Sequence, residues 1–202
     1  DYVLGTDIDA ADTKNWHDGA GFEPLGDATD EFKGTFDGLG HTISGLSIDR
    51  PDTDYVGLFG VVRSPSVRNV GLEGATVTGK DHVAGLIGRS EYSPLLHSYV
   101  TDSSVNGASN LNVLMGSQRG SVADIENSYY NRATVTINGN TDVISRGALY
   151  EQQFNDWKTD KSLDIADYAF THESGDTYTI DSVQGFKDLL GFARHGEYTF
   201  RL

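Results

Sequence analysis

Apolar residues along this chain fall in runs of four to six, set apart by polar, glycine-bearing turns, and the runs recur. Three tetrapeptides carry the clearest copy: Gly57-Leu58-Phe59-Gly60, Gly85-Leu86-Ile87-Gly88 and Val113-Leu114-Met115-Gly116. Their closing glycines are 28 residues apart at each step. Val67, Leu95 and Ile125 keep the same beat, at 28 and then 30 residues. Val77, Val105 and Val135 do so as well, again at 28 and 30. Runs this short suit strands rather than helices, and Ala75-Thr76-Val77 and Thr134-Val135-Thr136-Ile137 alternate with the period of two that strands require.

A fixed period with no helical pattern between the strands predicts a mainly β chain, a parallel β-helix (β-solenoid) of about four to five coils. Equivalent strands then stack about 4.8 Å apart. The solenoid is expected over 1–145, with repeats near 32–54, 55–81, 82–109 and 110–139. Three interior columns follow: Val67/Leu95/Ile125, Val77/Val105/Val135 and Leu58/Leu86/Leu114. An earlier unit is expected where Ile43-Ser44-Gly45-Leu46-Ser47-Ile48 copies the pattern of Val67 to Leu72, with Phe36 ahead of it. A two-residue insertion belongs near Arg119-Gly120. Asn69, His97 and Asn127 share one register and read as a bend, because Asn tolerates the left-handed region and can bond its stacked copy. Ser98 and Ser128 replace Val70, which makes the later coils less apolar inside.

The flanks read differently. Tyr2 and Leu4 alternate as a strand, and Trp16 and Phe22 are placed to cap one end of the solenoid, where bare strand edges invite stacking. Beyond 145 the repeat stops, and 146–202 is expected to pack on or cap the solenoid with one or two short helices. Tyr150, Phe154 and Trp157 are spaced for one helical face. Asp181-Ser182-Val183-Gln184 resembles a helix start, followed by Val183, Phe186, Leu189, Leu190 and Ala193 at helical spacing and Gly196 as a stop. Tyr198 to Leu202 is strand-like, and Glu197-Tyr198-Thr199-Phe200-Arg201-Leu202 echoes Asp1-Tyr2-Val3-Leu4, as in a module cut from a tandem array.

Composition narrows the partners. The 202 residues include 30 Asp and Glu against 15 Lys and Arg, a formal charge of -15. Such a surface repels nucleic acid and anionic membranes. There is no cysteine, so disulfides and thiolate chemistry are excluded. No stretch is apolar enough for a membrane-spanning helix, so no membrane insertion is expected. No signal-peptide pattern opens the chain, as in a mature fragment.

Gly34-Thr35-Phe36-Asp37-Gly38-Leu39-Gly40-His41-Thr42-Ile43-Ser44-Gly45-Leu46 resembles the GTFDGNGHTISNL signature that precedes GLUG-motif repeats in large bacterial surface proteins. Tyr55 to Gly60 and Ser66 to Leu72 are similar to the VGLFG and NVGL segments that follow it, and Thr6-Asp7-Ile8-Asp9 to the DIDL that comes before. The likeness covers roughly 1–140 and departs at Leu39, where the pattern has Asn, and at Val113, where it has Gly. Ile180 to Leu202 resembles the lead-in to another such module. GLUG modules occur in haemagglutinin-like and calcium-dependent adhesins and as accessory regions of surface peptidases and polysaccharide-active enzymes. The resemblance therefore implies a secreted or cell-surface β-helical module of a longer multi-domain chain, without fixing one ligand.

Candidate chemistry is sparse. No nucleophile elbow, HExxH, P-loop or Rossmann fingerprint is present. His17, His41, His82, His97, His172 and His195 show no i, i+4 pair of the kind zinc needs. Asp7 with Asp9, and Asp52 with Asp54, could each share a face as a glycosidase pair does, but with 30 acids a solvated face is the plainer reading. Calcium is the candidate cofactor, through Asp49, Asp52 and Asp54 in one loop, although the spacing fits no EF-hand. Tyr99 and Tyr129 occupy the register of Gly71 and should point outward, with Tyr92 near them, either to stack on sugar rings or to pack beneath 146–202. Arg63 and Arg119 each follow the tetrapeptide glycine by three, to bind an anionic group or pair with surface acids. The expected binding residues are thus Tyr92, Tyr99, Tyr129, Arg63 and Arg119, with no catalytic or metal-ligand set. The expected function is a non-catalytic adhesin module that binds a surface glycan or protein ligand or acts as a spacer. The alternative is a β-helical part of a polysaccharide lyase or glycosidase, or an accessory region of a surface peptidase.

Overall fold

A computed structural model describes residues 1–63, 66–120, 125–141, 144–193 and 196–202. His195 lies outside the described residues. The chain forms two compact units, Asp1–Gly147 and Ala148–Leu202.

The first unit is a parallel β-solenoid. Four strand faces recur along the coils, and a fifth, shorter one pairs Asp81–Val83 with Ser109–Leu111 in parallel. Face A stacks Tyr2–Val3, Phe36–Asp37, Val67–Arg68, Leu95–Leu96 and Ile125–Glu126. Face B stacks Ile8–Asp9, Thr42–Ser44, Gly71–Glu73, Tyr99–Thr101 and Tyr129–Asn131. Face C stacks Ser47–Asp49, Thr76–Thr78, Ser104–Asn106 and Thr136–Ile137. Face D stacks Phe59–Val62, Ile87–Glu91 and Met115–Arg119. All these pairings are parallel.

The solenoid makes about three full turns, fewer than the four to five coils expected, because face D holds three strands. The chain ahead of Phe36 reaches that face only through isolated bridges, Leu25 to Phe59 and Phe32 to Val62. The first coil is also aligned differently from its sequence pattern. Phe36, not Ile43, pairs with Val67, while Ile43 pairs with Leu72 and Ile48 with Val77. The pattern misled because two identical alternations, five residues apart, fit the same apolar template.

Two of the expected interior columns hold. Val67 and Leu95 are fully buried and Ile125 nearly so, in direct register. Leu58, Leu86 and Leu114 are buried beside the paired Phe59, Ile87 and Met115. The remaining column changes at its end: Val77 pairs with Val105, but Val105 pairs with Ile137 rather than Val135. Two insertions in the last coil explain the slip. Four steps take Glu91 to Leu95, but six take their partners Arg119 to Ile125. The turn Arg132 to Thr134 adds two more residues before Thr136 meets Ser104.

The bend between faces A and B works as the register requires. Asn69, His97 and Asn127 all take left-handed φ values, of 55°, 49° and 42°. Asn69 does not bond its stacked copy; its amide donates to Asp37 Oδ1 in the preceding coil (2.9 Å). The serines after the bend keep a polar ladder inside. Ser98 Oγ accepts from Val70 N (3.3 Å), and Ser128 Oγ accepts from Ser98 N (3.0 Å). Each buried hydroxyl thereby satisfies an amide of the coil before it.

The tetrapeptide glycines mark close approach of backbone. A Cβ on Gly88 would stand 2.5 Å from the carbonyl carbon of Tyr55, and one on Gly116 2.7 Å from Gly88 O. Successive coils pass there with no room for a side chain.

At the N-terminal end Ala10 and Thr13 are buried against the first coil, Thr13 Oγ1 accepting from Ser47 N (2.9 Å). Leu4, Ile8, Phe22, Phe36, Ile43, Leu46 and Leu58 line an apolar cleft of about 390 Å³. Trp16 and Phe22 both line this cleft and meet at 6.4 Å between ring centroids, and Trp16 is 48% exposed.

The second unit holds two short helices, α1 (Glu151–Asp160) and α2 (Val183–Phe192). Helix α1 buries Phe154 and Trp157, the face expected from their spacing. Ser182 caps α2, its Oγ accepting from Gly185 N (2.9 Å). The buried side of α2 differs from the apolar stripe read from sequence. Gly185, Asp188, Gly191 and Phe192 are inside, while Val183 and Phe186 are 78% and 62% exposed. Asp188 is satisfied there by Ala169 N (3.0 Å) and Gln184 Nε2 (2.7 Å). An antiparallel pair, Thr171–Ser174 and Thr177–Thr179, is extended by the parallel strand Thr199–Arg201. Ile165, Tyr168 and Phe192 form its core with Phe170, Tyr178, Tyr198 and Phe200 around them.

Candidate functional site

The signature residues are engaged in holding coils together. Asp7 Oδ1 accepts from Thr42 N (2.9 Å) and stands 3.1 Å from His41 Nδ1. Thr42's backbone, then His41, hold the Asp7 carboxyl below its ordinary range. Asp9 Oδ1 accepts from Ala11 N (3.0 Å) and so shapes the turn that follows. Asp37 accepts from Leu39 N, Asn69 Nδ2 and Arg68 Nε. Both Asp7 and Asp37 are thus held as carboxylates by groups of the neighbouring coil. Asp54 lies 3.9 Å from Lys80, and among the described residues no three acids or histidines gather into a metal-sized group.

The five expected binding residues divide between two places. Tyr99 and Tyr129 are direct partners on face B. Tyr99 is only 5% exposed, its ring lies against Gly71, and its hydroxyl donates to Glu73 Oε1 (2.5 Å). Burial, and then the bond to Glu73, push its phenol far above the ordinary value. Tyr129 is half-buried. A ring seated on the glycine beneath it has little face left for a ligand.

Tyr92 and Arg119 sit together at the outer edge of face D, and Arg63 follows its first strand, its N–H donating to Phe32 O (2.8 Å). Continuing the register of Val62 with Ser90 puts Arg63 level with Glu91, which pairs with Arg119. The row up the face is therefore basic, acidic, basic. Arg89 Nη2 holds Glu91 Oε1 at 2.6 Å, and Arg119 Nη1 approaches the same oxygen at 3.8 Å. The Arg119 side chain is 71% exposed and the Glu91 side chain only 7%. Tyr92 follows at a corner with a left-handed φ of 61°; its N–H donates to Arg119 O (3.1 Å), and its half-exposed ring lies over Gly120.

Sequence reasoning missed the inner part of this cluster. The Arg89 guanidinium lies 4.4 Å from the centre of the Tyr55 ring, and that ring stacks on His82 at 5.0 Å and 9°. A signal existed: Tyr55 and His82 each stand directly before a buried valine, Val56 and Val83, and these valines bridge in parallel. The outcome is a layered ridge of ring, cation and carboxylate, ending outward in Tyr92 and Arg119. A half-exposed tyrosine face beside an exposed guanidinium can stack on a sugar ring or side chain while pairing with an anionic group.

Comparison with known proteins gives two partial likenesses. The chain is 45% identical over 121 residues, 57% of its length, to Halomucin of Haloquadratum walsbyi. It is 40% identical over 77 residues, 37% of its length, to a protein of Evansella cellulosilytica described as a Gly-rich membrane protein. The matches cover 1% of the first relative and 9% of the second. No family model matches the chain, and no solved structure matches it. Among the described residues no helix is long and apolar enough to cross a membrane.

Proposed function

We propose that this chain is a non-catalytic, GLUG-type β-solenoid module of a longer secreted or cell-surface protein. In this reading it extends an adhesin and presents the face D ridge to a glycan or protein ligand. The observation that carries it is the engagement of Asp7, Asp37 and His41 in contacts between coils. A signature spent on coil geometry is that of a scaffold. The likeness to a small part of Halomucin, a protein for which this chain matches 1% of the length, supports a place in a long surface chain. The excess of 15 negative charges fits a protein exposed to a saline exterior.

The test is a glycan and protein array probed with the wild-type chain, Tyr92→Ala, Arg119→Ala and Tyr129→Ala. Binding that weakens with Tyr92→Ala and Arg119→Ala, and persists with Tyr129→Ala, supports the ridge. Binding indifferent to both ridge variants overturns it. Turnover of any polyuronate or neutral glycan by the isolated chain overturns the non-catalytic reading.

A further inference from the structure

One loop of the first coil departs from the repeat, and it borders a second cleft. Seven steps take Asp49 to Val56, but five take their partners Thr78 to Val83, and five take Asn106 to Leu111 in the next coil. The two extra residues fall in Arg50-Pro51-Asp52-Thr53-Asp54-Tyr55, the loop whose acids suggested calcium. Stacking does not require them, since the next two coils stack without them, and an unrequired loop on a rigid scaffold is a common place for binding. Arg50, Asp54 and Tyr55 line a cleft of about 510 Å³ together with Glu23, Asp27 and Asp30. Small-ligand sites span about 300–1,000 Å³. Both borders are pinned to the solenoid. Leu25 N donates to Leu58 O (3.0 Å) and Gly60 N to Leu25 O (3.1 Å), while Arg50 N donates to Thr78 O (3.0 Å) and Tyr55 N to Asp81 O (2.8 Å). The Tyr55 ring is held by the His82 stack and the Arg89 guanidinium. A cleft formed in advance spares a ligand the cost of ordering it.

The polar groups of this cleft have both signs and are not spent on one another. Arg50 Nε donates to Phe22 O (3.2 Å), but its Nη1 and Nη2 have no partner among the described residues. The Tyr55 hydroxyl has none there either. Asp54 lies 3.9 Å from Lys80 and Asp30 4.0 Å from Lys33, so outside lysines offset two of the acids. Asp27 uses one oxygen to accept from Thr29 N (2.7 Å) and Asp30 N (2.8 Å). A cationic ligand would meet Arg50, and an anionic one would meet Glu23 and Asp27. Neighbouring hydroxyls suit both, because they donate to carboxylates and accept from a guanidinium or a phenol. We infer that this cleft is a binding site for a neutral oligosaccharide. Arg50 and Tyr55 donate to ring hydroxyls, Asp54 and Asp27 accept from them, and Pro24 and Leu25 meet the apolar face of a ring. The cleft shares only Tyr55 with the layered ridge, so the inference does not rest on what Tyr92 and Arg119 bind.

Calorimetric titration of the full chain with neutral tetrasaccharides of glucose, mannose, galactose and xylose tests it. At least one should bind, and its affinity should change by less than roughly two-fold between about 0.05 and 0.5 M salt, since hydroxyls carry no charge to screen. Tyr55→Phe keeps the stacked ring and removes only the hydroxyl, so it should weaken binding by roughly three-fold or more. Arg50→Gln and Asp54→Ala should each weaken it by roughly ten-fold. Asp52→Ala changes the same loop outside the cleft lining and should bind as wild type does. Circular dichroism checks that each variant is folded. Failure of every tetrasaccharide to bind overturns the inference. So does binding that Tyr55→Phe, Arg50→Gln and Asp54→Ala all leave unchanged, or binding confined to amine- or carboxylate-bearing analogues that fades with salt.

Discussion

Asp37 and Arg68 face each other across adjacent coils, with the carboxylate Oδ2 2.8 Å from the guanidinium Nε. The other oxygen of Asp37 accepts from Leu39 N and Asn69 Nδ2, each at 2.9 Å. One side chain thus fixes a left-handed turn at Leu39, the bend at Asn69 and the spacing of two coils. Asp37→Ala should lower stability by about 2–3 kcal/mol, since hydrogen bonds to a charged group are lost together. Urea unfolding should show a lower midpoint at unchanged slope.

The same carboxylate gives a pH dependence. Burial raises the Asp37 pKa, but the bonds from Asn69, Arg68 and Leu39 outweigh it and leave the value lowered. The unfolded chain therefore takes up the proton first as pH falls. Its contribution is complete above the unfolded carboxylate value of about 3.9 and is lost as pH drops through the lower folded value. Asp37→Ala should flatten the acid limb of the stability profile. An unchanged limb would show that other acids carry it.

Gly88 should resist every substitution. A Cβ there meets the Tyr55 carbonyl carbon at 2.5 Å and Val56 N at 2.7 Å, both backbone atoms that cannot swing aside. Gly88→Ala should cost about 3 kcal/mol, the upper part of the range for overpacking. Gly5 has nothing within 4 Å, so Gly5→Ala is the matched control and should be near neutral. Thermal unfolding of the pair decides whether the repeated glycine marks coil pitch.

Tyr99 supplies a spectroscopic prediction. Burial and the Glu73 carboxylate both oppose its ionisation. In the folded protein it should stay protonated in alkali where exposed tyrosines ionise, as should Tyr168, and Tyr99→Phe should leave the folded-state phenolate absorbance change there unaltered. Because the unfolded chain loses this proton first, stability should decline as pH rises above about 10. Tyr99→Phe should lessen that decline, the rest of which belongs to Tyr168, whose phenol burial and Asp156 also push up, and to Tyr198. A full tyrosine count titrating near the ordinary value in the folded chain would contradict the burial.

Much of the solenoid was legible because stacking repeats the same demand at the same interval. Val67, Leu95 and Leu86 show it, being apolar in every coil and fully buried. Legibility failed where the coils differ. The paired residues of the last coil slip at Val135 and Ile137 because insertions sit in turns, which carry no apolar signal. Helix α2 misled because its buried side is built from Gly185, Asp188 and Gly191, small or hydrogen-bonded residues that hydrophobic spacing does not count. The face D ridge was half visible. Arg119 could be read from its offset to the glycine, but Tyr92 was expected beside Tyr99 and Tyr129 and instead bonds Arg119 O, and the Tyr55–His82 stack is a contact across coils between unlike residues. Tyr99 was read as outward from its alternation, and alternation does not reveal that Gly71 below it leaves a seat for the ring.

Ser98 tests whether the polar interior of the later coils is functional packing or tolerated damage. Its hydroxyl accepts from Val70 N at 3.3 Å and donates to Leu96 O at 2.8 Å. Val70 occupies the equivalent place one coil earlier and is itself buried, so the site accepts a valine by shape. On volume alone, Ser98→Val should stabilise through added apolar burial. On hydrogen bonding, it strips the acceptor from a buried amide, which costs about 1–3 kcal/mol and exceeds what two methyl groups return. We expect net destabilisation, with faster hydrogen exchange at the Val70 amide, and a smaller loss for Ser98→Thr, which keeps the hydroxyl. A stabilised Ser98→Val with unchanged exchange at Val70 would show that the serine ladder is not what holds these coils in register.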